Sequence, residues 1–261
     1  MLFRFAIAAV VLLGYCAWNK IPPPEKRDLP LFIAAGFVGL FLYMWAFITG
    51  TSFVPAGISS FIIATAPIFT LILSIVFLKE KAGFLIWLGV LVSFAGIAII
   101  SFEQAGGMQF NIGILLLLAA SIFTSLFTII QKRLLIKYTA IQCSAYTVGI
   151  AALLMCVFLP ILLREFPHAP LSANLVVIYL GLFPAAAAYF FWSLALLKAE
   201  KTIHVTSFLY LIPFLASVLA FFWLGEEISA LALLGGAIII TGMVITNFIQ
   251  GKPAAQKNTP K

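Results

Sequence analysis

Charged residues are scarce in this sequence of 261 amino acids. Asp, Glu, Lys and Arg together make up 9% of the chain, whereas 64% of it is hydrophobic and the mean hydropathy is +1.20. Soluble globular domains contain about 25% charged residues, so this composition excludes that class. It is typical of a polytopic membrane protein, in which most helices face lipid.

Motifs that bind metals or nucleotides are also missing. The three cysteines, Cys16, Cys143 and Cys156, form no CxxC pattern and have no histidine nearby, which argues against a disulfide or a metal site. Neither GxGxxG nor GxxxxGK occurs, so direct use of a nucleotide is not expected. We therefore expect no metal and no cofactor.

Long hydrophobic runs are what the sequence has in abundance. A bilayer core needs roughly 20 apolar residues per helix. Cutting the chain at charges, prolines and glycines then predicts an all-α membrane protein, a helical bundle with nine spans. These spans are residues 2–19, 30–50, 53–78, 83–102, 111–131, 140–163, 174–197, 202–224 and 229–250. Residues 251–261 are polar and are expected to form a disordered tail.

The basic residues divide unequally when the nine spans alternate across the membrane. Of the 15 lysines and arginines, 13 fall on one face, and only Arg4 and Arg164 fall on the other. The positive-inside rule then places the carboxyl terminus in the cytoplasm of a bacterial inner membrane. This placement accounts for the net charge of +7 without nucleic-acid binding.

The sequence repeats itself at a spacing of 146 residues. Four residues recur at that offset: Pro67 matches Pro213, Glu80 matches Glu226, Gly89 matches Gly235, and Gly96 matches Gly242. Helices one to four therefore correspond to helices six to nine, and the fifth has no counterpart after Met1. We expect two repeats, residues 1–104 and 111–250. Their ancestral five-plus-five arrangement has an odd number of spans, so the two repeats are inverted, as in many secondary transporters.

These motifs resemble a known family. The pattern APIFTLILSIVFLKEK, followed by GVLVSFAGIAII, and its echo IPFLASVLAFFWLGEE, followed by GGAIIITGMVI, are similar to EamA-type members of the drug/metabolite transporter superfamily. The resemblance covers about residues 1 to 248 and implies ten helices, of which the first is expected to be lacking here. It also implies export of a small solute and a central cavity lined by helices two, three, five, seven and eight.

Polar and aromatic residues at mid-depth in those helices are the candidates for solute binding. They are Tyr43, Ser125, Tyr189, Trp192 and Tyr210. An alternative is that the hydroxyl groups serve their own helix and the aromatic rings face lipid.

The duplicated prolines and glutamates have separate expected roles. Pro67 and Pro213 are candidate hinges for alternating access, although each is also compatible with a static kink. Glu80 and Glu226 are expected to be structural caps, each for the helix that follows it.

The interiors of the predicted spans are taken to contain no acidic or basic residue. Since a charged solute would need a compensating charge there, zwitterionic, neutral or amphipathic metabolites are favoured over phosphates. The main hypothesis is a secondary transporter, an exporter of a small metabolite, amino acid or drug-like solute. Its partners are that solute, membrane lipid and an unspecified coupling ion, and a homo-oligomer is left open.

Two hypotheses from other classes remain. A membrane-embedded enzyme acting on lipid would need converging acids, histidines or a metal cluster, and none is visible, so no enzyme is expected. The other is a transport-inactive scaffold or regulatory protein descended from a transporter.

Overall fold

The fold is described from a computed structural model that covers residues 1–103, 111–166, 170–224 and 229–248. Within these ranges every regular element is helical, which confirms the predicted all-α class. Nine helices, labelled here in chain order, correspond to the nine predicted spans. They are α1 (Leu2–Trp18), α2 (Leu29–Thr51), α3 (Ala56–Ile63 and Ala66–Phe77), α4 (Phe84–Glu103), α5 (Ile112–Leu134), α6 (Ala140–Met155, continued by Leu159–Glu165), α7 (Leu171–Lys198), α8 (Thr202–Thr206, Ser207–Tyr210 and Leu211–Leu224) and α9 (Ala230–Phe248).

Most of these helices are long and apolar enough to cross a bilayer. Six candidate spans of 18 to 28 residues lie in α2, α3, α5, α6, α7 and α9. Apolar stretches of 10 to 17 residues lie in α1, α4 and α8. The protein is therefore a multi-pass membrane protein.

Close glycine contacts join α4 to α9, the most extensive helix pair in the described part of the chain. A Cβ atom added to Gly96 would lie 2.6 Å from the carbonyl oxygen of Gly235, and one added to Gly89 would lie 2.6 Å from that of Gly242. Small residues let backbones approach closely, and packing of this kind holds membrane helices together. The sequence offset pairs Gly89 with Gly235 and Gly96 with Gly242, so exchanging the two halves converts one contact into the other.

A second pair of contacts has the same two-fold pattern. Gly36 of α2 packs against the side chain of Ile150 in α6, and Gly181 of α7 packs against that of Ile7 in α1. A Cβ on Gly36 would lie 2.8 Å from Ile150, and a Cβ on Gly181 would lie 2.8 Å from Ile7. Equivalent positions of the two halves thus make equivalent contacts across the centre of the bundle.

Both α2 and α7 contain a π-helical segment at corresponding positions. These segments are Ala35–Leu42 and Leu182–Ala187. A π-helical turn is wider than an α-helical turn and is frequent at functional sites. The two helices differ in burial. In α2, 39% of the candidate span is buried, compared with 17% in α7. Within the described residues, α5 packs more extensively against α2 than against α7.

Several turns meet at one end of the bundle, here called the lysine-rich end. Lys137, which follows α5, forms ion pairs of 2.6 Å with both Glu25 and Asp28, and the Tyr138 hydroxyl donates to Asp28 Oδ2 over 2.6 Å. Lys132 Nζ donates to the carbonyl oxygens of Leu196 and Ala199 at the end of α7. The turns after α1, α5 and α7 are therefore neighbours.

Candidate functional site

A cavity of about 460 Å³ lies between α2, α3, α5 and α8. It extends from the turn between α2 and α3, at the end opposite the lysine-rich end, to residues in the middle of the helices. Its polar lining consists of one phenol and four aliphatic hydroxyl groups, and the remaining lining is apolar. The lining residues are Tyr43, Phe47, Thr51, Val54, Ala56, Ser59, Ser60, Ile63, Ala64, Ala66, Thr124, Leu209, Ile212 and Pro213.

The break in α3 forms part of the cavity wall. Ala64 and Thr65 interrupt the helix, and Pro67 lies in the first turn of the segment that follows, where its missing N–H costs little. The Ser121 hydroxyl of α5 donates to the Ile62 carbonyl over 3.0 Å, and Ser125 donates to the Ala66 carbonyl over 2.9 Å. The break thus satisfies its backbone groups within the protein, as it must in a membrane.

The break in α8 is similar and lies across the cavity. A 3₁₀ turn, Ser207–Tyr210, separates Thr202–Thr206 from Leu211–Leu224, and Pro213 lies near the start of the last segment. Both candidate hinge prolines are therefore found just after an interruption and not within a continuous helix. Pro213 lines the cavity, whereas Pro67 is buried behind it.

The five candidate binding residues lie in different surroundings. Tyr43 lines the cavity. Tyr189 is close behind it and packs edge-on against Phe127 with ring centroids 6.0 Å apart. The other three lie away from the lining. Ser125 is fully buried and its hydroxyl bridges Ala66 and Ser121, Tyr210 is fully buried in the core, and Trp192 packs among α1, α5 and α6 residues.

Two of those aromatic side chains have unsatisfied polar atoms. The Tyr210 hydroxyl and Trp192 Nε1 are shielded from solvent and have no hydrogen-bond partner among the described residues. Because a buried unpaired polar group is unfavourable, each is unlike an ordinary packing residue. Neither contacts the cavity in this conformation.

Arg4 corrects the expectation that the span interiors contain no charge. Arg4 belongs to α1, and its Nη2 donates over 2.9 Å to the carbonyl of Pro184, in the π-helical segment at the middle of α7. The sequence argument assigned Arg4 to the membrane surface because it lies near the end of a predicted span. A long side chain pointing along the bundle places its charge several residues away from its own Cα.

Glu80 joins the two halves at the lysine-rich end. Lys79 has a left-handed φ of 56° and the Glu80 amide donates to the Ser74 carbonyl, which together end α3. Both Glu80 carboxylate oxygens then accept from the Thr202 amide over 3.0 Å, and Oε1 also accepts from the Thr202 hydroxyl over 2.7 Å. We call this contact the Glu80–Thr202 latch.

The latch differs from the expected cap. Glu80 was expected to cap α4, the next helix, but it caps α8 from the other half of the chain. The physical reason is that the free amides at the start of α8 lie directly opposite the end of α3, and a carboxylate stabilises such a helix start. Glu226, the second expected cap, lies outside the described residues.

Ser59, Ser60 and Thr51 are lining residues that the sequence argument missed. It considered only polar groups at mid-depth, whereas these three lie near the turn between α2 and α3. The pattern TGTSF followed by GISSF, rich in hydroxyl groups between two apolar runs, is the signal that identifies them in the sequence. Within the described residues, no group of three His, Cys, Asp or Glu side chains converges on a metal site.

Comparison with known proteins gives relatives across nearly the whole chain. It is 35% identical to the uncharacterized transporter YdfC of Bacillus subtilis (strain 168) over 247 residues, which is 94% of this chain and 80% of that protein. It is 33% identical to the probable terminal-alkyne amino-acid exporter of Streptantibioticus cattleyicolor over 246 residues, covering 94% of this chain and 82% of that protein.

The fold also has a counterpart among solved structures. One crystal structure superposes with a TM-score of 0.75 at 19% sequence identity, covering 94% of this chain and 84% of the other. The EamA-like transporter family matches residues 1–102 and 111–248. The resemblance drawn from the sequence motifs is confirmed, and this chain belongs to the EamA-like transporter family.

Proposed function

We propose that this protein is a secondary transporter that exports small amino-acid-like metabolites across the bacterial inner membrane by alternating access. The observation that supports this most directly is a cavity that reaches one end of the bundle, together with a contact that joins the two halves at the other end. The cavity of about 460 Å³ extends from mid-depth to the turn between α2 and α3, and the Glu80–Thr202 latch joins the halves at the lysine-rich end. In the proposed cycle, a solute enters or leaves this conformation at the α2–α3 end.

The positive-inside rule gives the sides of the membrane. It places the lysine-rich end and the carboxyl terminus in the cytoplasm, so the conformation described here faces outward. The opposite state would close the α2–α3 end and open the latch. Inverted repeats support such an exchange, because two halves of opposite orientation adopt each other's arrangement when the site switches sides. The glycine contacts that interconvert when the halves are exchanged agree with this arrangement.

The breaks in α3 and α8 are where the helices can bend during the change between the two conformations. Each helix is interrupted at mid-depth, and each has its proline just after the interruption. Hinge motions are absorbed by a few residues at the ends of elements, so the segments on either side can tilt while remaining helical. Pro67 and Pro213 are the proposed hinges.

Cavity size and lining support the solute class. Ligand cavities of about 300–1,000 Å³ accommodate small organic molecules. The lining is mostly apolar with a few hydroxyl groups, which suits a solute with an apolar side chain and a small polar end. The relative from Streptantibioticus cattleyicolor is named an amino-acid exporter, which favours amino acids over other solutes of this size.

Flux into proteoliposomes tests the proposal. Purified protein would be reconstituted and exchange of radiolabelled apolar and aromatic amino acids measured, with empty liposomes for comparison. Ser60→Trp places a large ring in the cavity and is expected to abolish exchange. Val10→Trp is the matched control, because Val10 is 73% exposed on the outer surface of α1. A folded protein that exchanges none of the panel would contradict the proposal and favour a scaffold role.

A further inference from the structure

Arg4 places a cation inside the membrane, and it has no anionic partner among the residues that the structure describes. Among the described residues the ion pairs join Lys137 to Glu25 and Asp28, and no carboxylate lies on Arg4. One guanidinium nitrogen donates to the Pro184 carbonyl, while Nε is shielded from solvent and has no hydrogen-bond partner. An ionised group at this depth is costly and normally has a partner, so the site is incomplete as it stands.

Two tyrosines lie beside this guanidinium. The Arg4 guanidinium carbon lies 5.9 Å from the centre of the Phe5 ring, and that ring lies 6.1 Å from the Tyr189 ring. Tyr43 packs in the same apolar cluster as Phe5 and Tyr189. Neither hydroxyl has a hydrogen-bond partner among the described residues. Tyr43 is part of the cavity wall, so the cluster of Arg4, Tyr43 and Tyr189 adjoins the cavity of the proposed function.

The free donors of this cluster fit a carboxylate. Nε–H and one N–H of the adjacent Nη2 point in parallel and can bind two oxygens of one anion at once. Nη2 has a second N–H that can serve the Pro184 carbonyl. Two phenol groups at the same place can donate further hydrogen bonds to those oxygens. The charge of an anion would compensate Arg4, and its oxygens would satisfy the orphaned Nε.

We propose that Arg4 binds the carboxylate group of the transported solute, with Tyr43 and Tyr189 as additional donors. This inference rests on the proposed transport function and adds the part of the solute that is recognised. The hydrocarbon part of the solute then occupies the apolar cavity beside Tyr43. Arg4 is thereby a binding residue that sets specificity for acids over their neutral derivatives.

A lipid phosphate presents similar oxygens, but the depth favours a solute. Pro184 is 13 residues from Leu171 and 14 from Lys198, so at 1.5 Å per residue it is about 20 Å along α7 from either end. Lipid headgroups begin about 15 Å from the bilayer centre. A guanidinium held at the middle of α7 lies far from both headgroup layers.

The test uses binding and not transport. The midpoint of thermal unfolding of the purified protein would be measured with leucine, its methyl ester, its amide and the deaminated acid 4-methylpentanoate. We expect both carboxylates to stabilise the wild-type protein and the ester and amide to do so weakly. Arg4→Gln is expected to weaken carboxylate binding roughly 10- to 100-fold, as for loss of a charged hydrogen bond, and to leave the ester unchanged. Arg4→Lys should retain part of the binding.

Arg164→Gln is the matched control because it makes the same substitution at an exposed arginine outside this cluster. It should bind the acids like the wild-type protein. If Arg4→Gln does not purify as a folded protein, Tyr43→Phe and Tyr189→Phe replace it, and each should weaken binding of the acids several-fold without affecting the ester.

The outcomes separate the two proposals. Stabilisation by 4-methylpentanoate but not by leucine would contradict amino-acid export and leave the carboxylate site standing. Equal binding of acid and ester, unchanged in Arg4→Gln, would overturn the role of Arg4, as would no effect of any acid. Native mass spectrometry would detect bound phosphatidylglycerol. If the wild-type protein retains this lipid and only Arg4→Gln loses it, while solute binding stays intact, the site binds lipid instead.

Discussion

At the scale of single residues, hydroxyl groups at similar depths in the predicted helices have different surroundings in the structure. Ser125 uses its hydroxyl on the Ala66 and Ser121 carbonyls, and Tyr210 buries a hydroxyl that has no partner among the described residues. Tyr43 presents its phenol beside the cavity and Arg4. Only the last of these is placed to meet a solute in this conformation.

Tyr43 and Tyr210 are therefore expected to respond differently to loss of the hydroxyl. Tyr43→Phe should lower affinity for a carboxylate solute several-fold with little change in thermal stability. Tyr210→Phe removes a buried unpaired group, so stability should stay equal or rise by up to about 1–3 kcal/mol, with solute affinity unchanged. Denaturant unfolding and solute binding measured on both variants check this. A loss of affinity in Tyr210→Phe alone would contradict the placement of the site.

The Lys137 cluster predicts a specific pH dependence. Hydrogen bonds from Lys137 and then Tyr138 hold the pKa of Asp28 below its ordinary range, and hydrogen bonds to Asp28 and Glu25 raise the pKa of Lys137. The stabilisation by Asp28 is present above the ordinary Asp pKa and is lost as the pH falls through the lowered value. The stabilisation by Lys137 is lost only as the pH rises through its raised value.

Asp28→Asn should therefore lower the unfolding temperature by a constant amount across neutral pH. The difference from the wild-type protein should shrink below about pH 4, near the ordinary Asp pKa. Thermal unfolding between pH 3 and 9 measures it, with Lys26→Gln as a neighbouring exposed control. A difference that grows on acidification would contradict the assignment. High salt should reduce the effect because the Lys137 and Glu25 side chains are 46% and 64% exposed.

At the scale of helices, packing depends on where small residues come face to face. Gly96 meets the Gly235 backbone in the α4–α9 contact, whereas a Cβ on Gly14 of α1 would meet nothing within 4 Å. Both glycines lie inside helices, so the intrinsic effect of alanine on helix formation is the same for both.

Gly96→Ala should consequently destabilise the protein by about 1–3 kcal/mol through overpacking. Gly14→Ala should be neutral or slightly stabilising, since it only adds helix propensity. Unfolding of the two purified variants in detergent gives the comparison. Equal stability of both would mean that α4 and α9 are not in backbone contact.

The Glu80–Thr202 latch makes a prediction about two helices that are far apart in sequence. Glu80→Gln keeps the shape but removes the charge that favours the start of α8, so the lysine-rich end should open more often. An Ile203→Cys reporter, at a position 1% exposed, should react several-fold faster with an impermeant maleimide in this variant. The background would lack the native cysteines.

Glu200→Gln is the control for this experiment, because Glu200 is exposed at the same end and carries the same charge. It should leave the rate unchanged. An Ile203→Cys rate that is identical in the wild-type, Glu80→Gln and Glu200→Gln backgrounds would rule out the latch as a closing contact.

Helix positions could be predicted from the sequence, but several contacts could not. Hydropathy located all nine helices because lipid demands long apolar runs. It could not reveal that α3 and α8 are interrupted, since the serines that satisfy the α3 break belong to α5 and the 3₁₀ turn of α8 lies within a largely apolar run. It also missed the partner of Glu80, which is 122 residues away, and the reach of Arg4 to α7. These depend on side-chain direction and tertiary neighbours, not on local composition.

At the scale of the whole molecule, the proposed cycle requires that the two halves open the cavity beside Tyr43 to one side of the membrane at a time. The sequence spacing, the exchangeable glycine contacts and the paired interruptions in α3 and α8 all fit an inverted relation between the halves. Tyr43 and Pro213 connect the cavity to both halves. Transport requires that the open side change during the cycle.

The accessibility of a cavity residue shows directly to which side of the membrane the cavity opens. Ser60→Cys, in a background without native cysteines, would be treated with an impermeant maleimide in intact cells and in inside-out vesicles. We expect rapid labelling from outside, slower labelling when a saturating solute occupies the cavity, and a shift toward labelling from the cytoplasmic side in Glu80→Gln. Labelling from one side only, at a rate unaffected by solute and by Glu80→Gln, would contradict the proposed cycle.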